Sequence, residues 1–136
     1  EIVKRPTGGG IVSHGTDEVT YSVVCPIQLL PEGLMGAYYY ISGIIVKALK
    51  RLSVDAKIGR GARGIGYRQR TNELCFSNTR EYEITFDGKK LVGSAQKRGR
   101  NAMLQQGSIQ FSGICLKHTP SYDEIALAVS RAFTEH

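Results

Sequence analysis

The sequence predicts an α+β domain, a mainly antiparallel β-sheet packed against helices, and three observations carry that prediction. Asp87-Gly88 stands between two runs of alternating apolar residues, the strongest short-range signal for a two-residue hairpin turn. Tyr82 to Phe86 and Lys90 to Gln96 should therefore pair as antiparallel strands. Tyr38, Ile41, Ile45, Ala48, Leu49 and Leu52 recur at helical spacing, as do Ile125, Val129 and Phe133. Alternation over Val19 to Cys25 and over Met103 to Phe111 supplies further strands. At 136 residues the chain is expected to form a single domain, residues 1–136.

Taken in order, the opening Glu1-Ile2-Val3-Lys4-Arg5 reads as the end of a strand and has no initiator Met, so an upstream segment is expected. Lys4-Arg5-Pro6-Thr7 is a basic turn feeding Gly8-Gly9-Gly10. Consecutive glycines let backbone amides approach an anion or an acyl chain without interference from Cβ, and Arg5 and His14 flank them. A flexible loop between strands is the simpler alternative. No Gly-Lys-Ser/Thr follows, so this is not a nucleotide-binding P-loop. Cys25, stopped by Pro26, reads as a buried small hydrophobe.

Pro31-Glu32-Gly33 is a turn, and Gly36 to Leu52 should be an amphipathic helix with Lys47, Lys50 and Arg51 near its negative end. Of the Tyr38-Tyr39-Tyr40 cluster, part should enter the core and part lie on the helix surface. Val54 to Ile58 reads as a short strand. Gly59 to Asn72 is a long, basic, glycine-punctuated loop, a type that is usually functional or disordered. Cys75 follows on a polar stretch between basic residues, a setting in which a thiol pKa can fall. Most cysteines do nothing of the sort, and by itself this one reads first as an ordinary cysteine.

On the strand after the turn, strict alternation from Lys90 places Leu91, Gly93 and Ala95 on one face and Lys90, Val92, Ser94 and Gln96 on the other. Small residues inside a strand often mark close approach of a ligand or another backbone. Spacing alone favours a solvated Lys90 beside a tight strand crossing. Cys115 again reads as a buried small hydrophobe. Ser121 is placed to cap the last helix, with Glu124 completing a capping box.

The net charge is +6 and the pI near 9.4, much of the excess lying in residues 57–70 and 89–100. Anionic partners are implied, such as phosphates or acidic proteins. Nucleic acid is disfavoured because the basic residues lack regular aromatic interleaving. Three cysteines with no paired spacing argue against a disulfide framework and for a reducing, cytoplasmic setting. No CxxC or His/Cys cluster suggests a metal site, and no apolar run is long enough to span a membrane.

Three stretches together resemble the biotin/lipoate A/B protein ligase superfamily, the lipoate-protein ligases and octanoyltransferases that modify a lysine of lipoyl domains. KRPTGGGIVSHGTDEVTYS (4–22) is similar to the family's Arg/Lys-Arg-x-Thr-Gly-Gly-Gly segment with its His and closing Tyr-Ser. GKKLVGSAQKR (88–98) resembles its lysine-bearing strand, and LQQGSI (104–109) its His/Gln-Gly-Ser/Thr segment. CFSNTREYEI (75–84) resembles the segment around the nucleophile of the cysteine-dependent octanoyltransferases, where Cys-Phe precedes Tyr-Glu-Leu/Ile. The intact triple glycine is more ligase-like, since Arg is common at the position of Gly10 in such transferases.

The resemblance implies Cys75 and Lys90 as catalytic residues, with Arg5, Gly8, Gly9, Gly10, His14, Gly93, Ser94 and Ala95 binding substrate. The implied reaction moves an octanoyl or lipoyl group from acyl carrier protein, through a cysteine thioester, to a lipoyl domain of the glycine cleavage H protein or a 2-oxoacid dehydrogenase E2. No cofactor is then needed. The alternatives are an ATP-dependent lipoate-protein ligase using ATP and Mg, and a non-catalytic module that binds acyl groups or a carrier protein.

Overall fold

A computed structural model of the chain describes residues 2–8, 13–59 and 82–136. Five strands, β1 (Glu18–Pro26), β2 (Lys57–Ile58), β3 (Ile84–Phe86), β4 (Lys89–Arg98) and β5 (Ala102–Gln110), form one antiparallel sheet in the order β1-β5-β4-β3-β2. Two helices join them, α1 (Gly33–Arg51) and α2 (Tyr122–Thr134). The α+β architecture expected from the pattern is the one observed.

The hairpin forms as its dipeptide dictates. Asp87 (φ 48°) and Gly88 (φ 74°) are both left-handed, the signature of a type I′ turn whose twist matches that of the strands. The N-terminus of α2 also follows its sequence: Glu124 N–H donates to Ser121 Oγ at 3.2 Å, and Ser121 N–H donates to Glu124 Oε2 at 2.8 Å.

The sheet places its core by register. Val19 pairs with Ile109, Ile109 with Val92 and Val92 with Ile84, so one apolar row crosses four strands. Paired residues share a face of the sheet. All four belong to the core cluster together with Ile41, Ile45, Ala48 and Leu49 of α1 and Ile125, Val129 and Ala132 of α2. Both helices therefore cover this face.

Several local expectations change. The strand expected over Val54 to Ile58 is only Lys57–Ile58, and the one expected from Tyr82 begins at Ile84. Ile2 and Val3 are exposed and form no strand. Cys25 is half-buried and Cys115 is exposed, so Cys115 is not the core residue its apolar neighbours suggested. The expected basic loop, Gly59 to Asn72, lies beyond the described residues after Gly59. Tyr38 is buried and stacks on Tyr82 with ring centroids 3.8 Å apart, whereas Tyr39 and Tyr40 are exposed.

Candidate active site on the sheet face opposite the helices

A β-bulge in the hairpin decides where Lys90 points. Ile84 pairs with Val92 but Thr85 pairs with Lys90, so β4 spends one extra residue, Leu91, where β3 spends none. Leu91 and Val92 are both buried in the core cluster. Lys90 goes with Thr85, one step from Ile84, and so faces away from the helices. Strict alternation had set Lys90 apart from Gly93 and Ala95. The bulge brings all three to the same face.

Lys90 is not the solvated cation that spacing favoured. Its side chain is 2% exposed, and its Nζ lies 2.7 Å from Oε1 of Glu83, which is 3% exposed. The segment bearing Glu83 is held from both sides. Ser42 Oγ of α1 donates to Tyr82 O at 2.8 Å, Tyr82 stacks on Tyr38, and Gly59 N–H donates to Glu83 O at 2.6 Å. The Tyr38 hydroxyl in turn accepts from Gln96 N–H at 2.8 Å, tying α1 to β4.

Further along this face, Gly93 pairs with Ser108 and Ala95 with Gln106. Gly93 and Ala95 are buried outside the apolar core cluster, so they form a floor of small side chains on the far side of the sheet. Thr7 and Ser13 are each bonded to β5 on this face. Thr7 Oγ1 donates to Gln106 Oε1 at 3.1 Å, and Gln110 Nε2 donates to Ser13 O at 3.5 Å. Gln106 and Gln110 are four residues apart on one strand, about 14 Å, with Ser108 between them opposite Gly93. Thr7 and Ser13 are thus bonded to β5 at positions on either side of Ser108.

Other predicted site residues fall as follows. Gly8 is exposed with φ +71°, and its conformation rather than lack of room calls for glycine, since nothing stands within 4 Å of a Cβ there. Arg5 is half-buried. His14 is exposed and pairs through Nδ1 with Glu18, whose Oε2 accepts from Ser108 Oγ at 3.0 Å, so it sits at the β1 margin of the same face. Ser94 lies on the helix face, beside Tyr21, away from Gly93 and Ala95. Cys75, Gly9 and Gly10 lie outside the described residues. Among the described residues no cluster of His, Cys, Asp or Glu could hold a metal ion, and no helix is long and apolar enough to cross a membrane.

Glu83, Thr7, Gln106 and Gln110 were missed as site residues. The signal was present, because Glu83 and Gln106 lie inside two of the motifs that carried the resemblance. Reading those motifs only for cysteine, lysine and glycine passed over them.

The family model for the lipoyl protein ligase A/B catalytic domain matches residues 1–123. The chain belongs to this family. Among curated relatives, octanoyltransferase LipM of Moorella thermoacetica is 41% identical over 110 residues, covering 79% of this chain and 40% of that protein. Octanoyltransferase LipM of Kyrpidia tusciae is 38% identical over 147 residues, covering 99% of this chain and 52% of that protein. The chain thus spans about half the length, or less, of these lipoyl-ligase-family relatives. Among solved structures, protein Ta0514 from T. acidophilum superposes with a TM-score of 0.73 at 21% identity, covering 96% of this chain and 56% of that one. Lipoate-protein ligase A bound with ATP gives 0.71 at 19% identity, covering 96% and 56%. These likenesses show that the fold is that of the family.

Proposed function

We propose that the chain is the catalytic portion of an octanoyltransferase that moves an octanoyl or lipoyl group from acyl carrier protein to a lysine of a lipoyl domain. The observation that carries this reading is its identity, up to 41%, to octanoyltransferases across most of its length. The site geometry supports it. A cation on the same face as a floor of small residues suits a carbonyl group at the cation and an apolar chain on the floor.

In this reading the Cys75 thiolate attacks the carrier thioester, the carrier thiolate leaves, and an octanoyl thioester forms on the enzyme. The lipoyl-domain amine then attacks that thioester, an amide forms as the C–S bond breaks and the amine's proton passes to water, and Cys75 returns as a thiolate. Lys90 stabilises the negative charge that develops on the carbonyl oxygen in each step. Arg5, Gly8, Gly9, Gly10 and His14 border the acyl site, with Gly93 and Ala95 beneath it. The excess positive charge steers an acidic carrier protein and the lipoyl domain of a glycine cleavage H protein or a 2-oxoacid dehydrogenase E2.

The triple glycine favours a second reading, an ATP-dependent lipoate-protein ligase acting on the same face. Full-length protein incubated with octanoyl carrier protein and apo lipoyl domain, with and without ATP, separates the two. Product without ATP supports the transferase. Product formed only from free lipoate and ATP overturns it in favour of the ligase, and no product under either condition leaves a binding module.

A further inference from the structure

We infer that Glu83 is the positioning residue for Lys90, fixing its ammonium over the reacting carbonyl; the inference rests on the catalytic reading of Lys90 given above. A long, flexible lysine side chain ordinarily samples many rotamers. Here the Nζ is held 2.7 Å from a carboxylate that is itself almost wholly inaccessible. Two features tie that carboxylate to the site. The bulge at Leu91 turns Lys90 out of the core, and Glu83, just before β3, meets its ammonium there. Glu83 also sits between two backbone anchors that reach it from different elements, Ser42 of α1 through Tyr82 O and Gly59 N–H on its own carbonyl.

A buried pair serving only stability would be no worse as two apolar side chains, because the desolvation cost of both ions offsets most of their attraction. This pair instead lies outside the apolar cluster, on the face that carries Gly93, Ala95 and the bond from Thr7 to Gln106. Misplacement of a catalytic group by about 1 Å costs on the order of 100-fold in rate, so a fixed partner for Lys90 has a direct kinetic use.

The test uses full-length protein, octanoyl carrier protein and apo lipoyl domain, with kcat, KM and thermal stability measured for each variant. Glu83→Gln removes the charge while keeping the shape, and should lower kcat by about 100-fold with KM for octanoyl carrier protein within about 2-fold. Glu83→Asp should lie between Glu83→Gln and wild type. Wild-type kcat in Glu83→Gln, or a loss that merely follows the unfolded fraction, overturns the inference. Should Glu83→Gln not fold, Glu83→Asp decides. A roughly 10-fold loss in kcat at unchanged KM supports positioning, and wild-type kcat overturns it. The double variant Lys90→Met with Glu83→Gln, which leaves neither charge buried alone, tests the underlying reading separately. Full turnover there removes Lys90 from the chemistry, whereas an inactive double variant beside a fully active Glu83→Gln sinks only the role of Glu83.

Discussion

The ring of Tyr21 lies directly on Gly107, so close that a Cβ added at residue 107 would stand 2.3 Å from Tyr21 Cζ. The two residues are register partners on β1 and β5, and they belong to different motifs of the family, Tyr-Ser and Gln-Gly-Ser. Their adjacency gives the glycine a packing role on the helix side of the sheet. Gly107→Ala should cost about 1–3 kcal/mol, because the ring must leave its place. Chemical denaturation measures this, and an alanine variant as stable as wild type would show that the ring can move freely.

The Tyr21 hydroxyl gives a pH dependence. Tyr21 is half-buried, and its hydroxyl accepts from Nε2 of the fully buried Gln105 at 3.2 Å. Burial pushes the phenol from its ordinary 10.0 up to about 12, opposed by the bonds to Gln105 and Ser94. Below pH 10 both folded and unfolded states keep the proton, and the group adds no pH dependence. Above it the unfolded state binds fewer protons, so stability falls by about 1 kcal/mol between pH 10 and 11. Tyr21→Phe should lose this part of the alkaline slope, which denaturation curves at both pH values would reveal.

Lys90 should matter for folding as well as for chemistry. A lysine on the surface could be replaced at a cost of about 0.5 kcal/mol. With its Nζ 2.7 Å from a buried Glu83 carboxylate, Lys90→Ala should instead cost about 3 kcal/mol. Replacing both residues by apolar ones should recover most of that stability and none of the transfer activity. If the single and double variants prove equally unstable, the loss does not come from breaking this ion pair on one side.

Thr7→Val keeps the shape of Thr7 and deletes its bond to Gln106. The expected stability change is within about 1.5 kcal/mol. Octanoyl transfer should fall more than that, through a raised KM, because Thr7, next to the triple glycine, loses its bond to β5. Unchanged kinetics would mean that this anchor does not shape the acyl site.

The thiols should separate by reactivity. If Cys75 is the nucleophile, octanoyl carrier protein should leave one hydroxylamine-labile octanoyl group on it, and Cys75→Ser should abolish transfer. Burial pushes the Cys25 thiol up, partly offset by Arg98, while Cys115 is exposed. Brief maleimide treatment should therefore label Cys115 ahead of Cys25. Cys115 is thus the more demanding control, since accessibility alone should not make it an acyl acceptor. Octanoyl groups found on Cys115 in wild-type protein would argue against Cys75 as the selective nucleophile.

By itself the sequence determined the α+β class, the type I′ turn at Asp87-Gly88, the capping box at Ser121 and Glu124, and the two helices, since each follows from contacts within a few residues. It also marked Lys90, Gly93 and the glycine segment as worth attention. Only the tertiary structure decided that Lys90 and Gly93 share a face. Alternation along a strand assumes one residue per rung, and whether that holds depends on hydrogen bonds to a neighbouring strand. The single bulge opposite Ile84 moved Lys90 to the side of Gly93 and Ala95 and brought it to Glu83. The packing of Tyr21 on Gly107 and the exposure of Cys115 were hidden for the same physical reason: they arise between segments far apart in the chain, where local pattern carries no information.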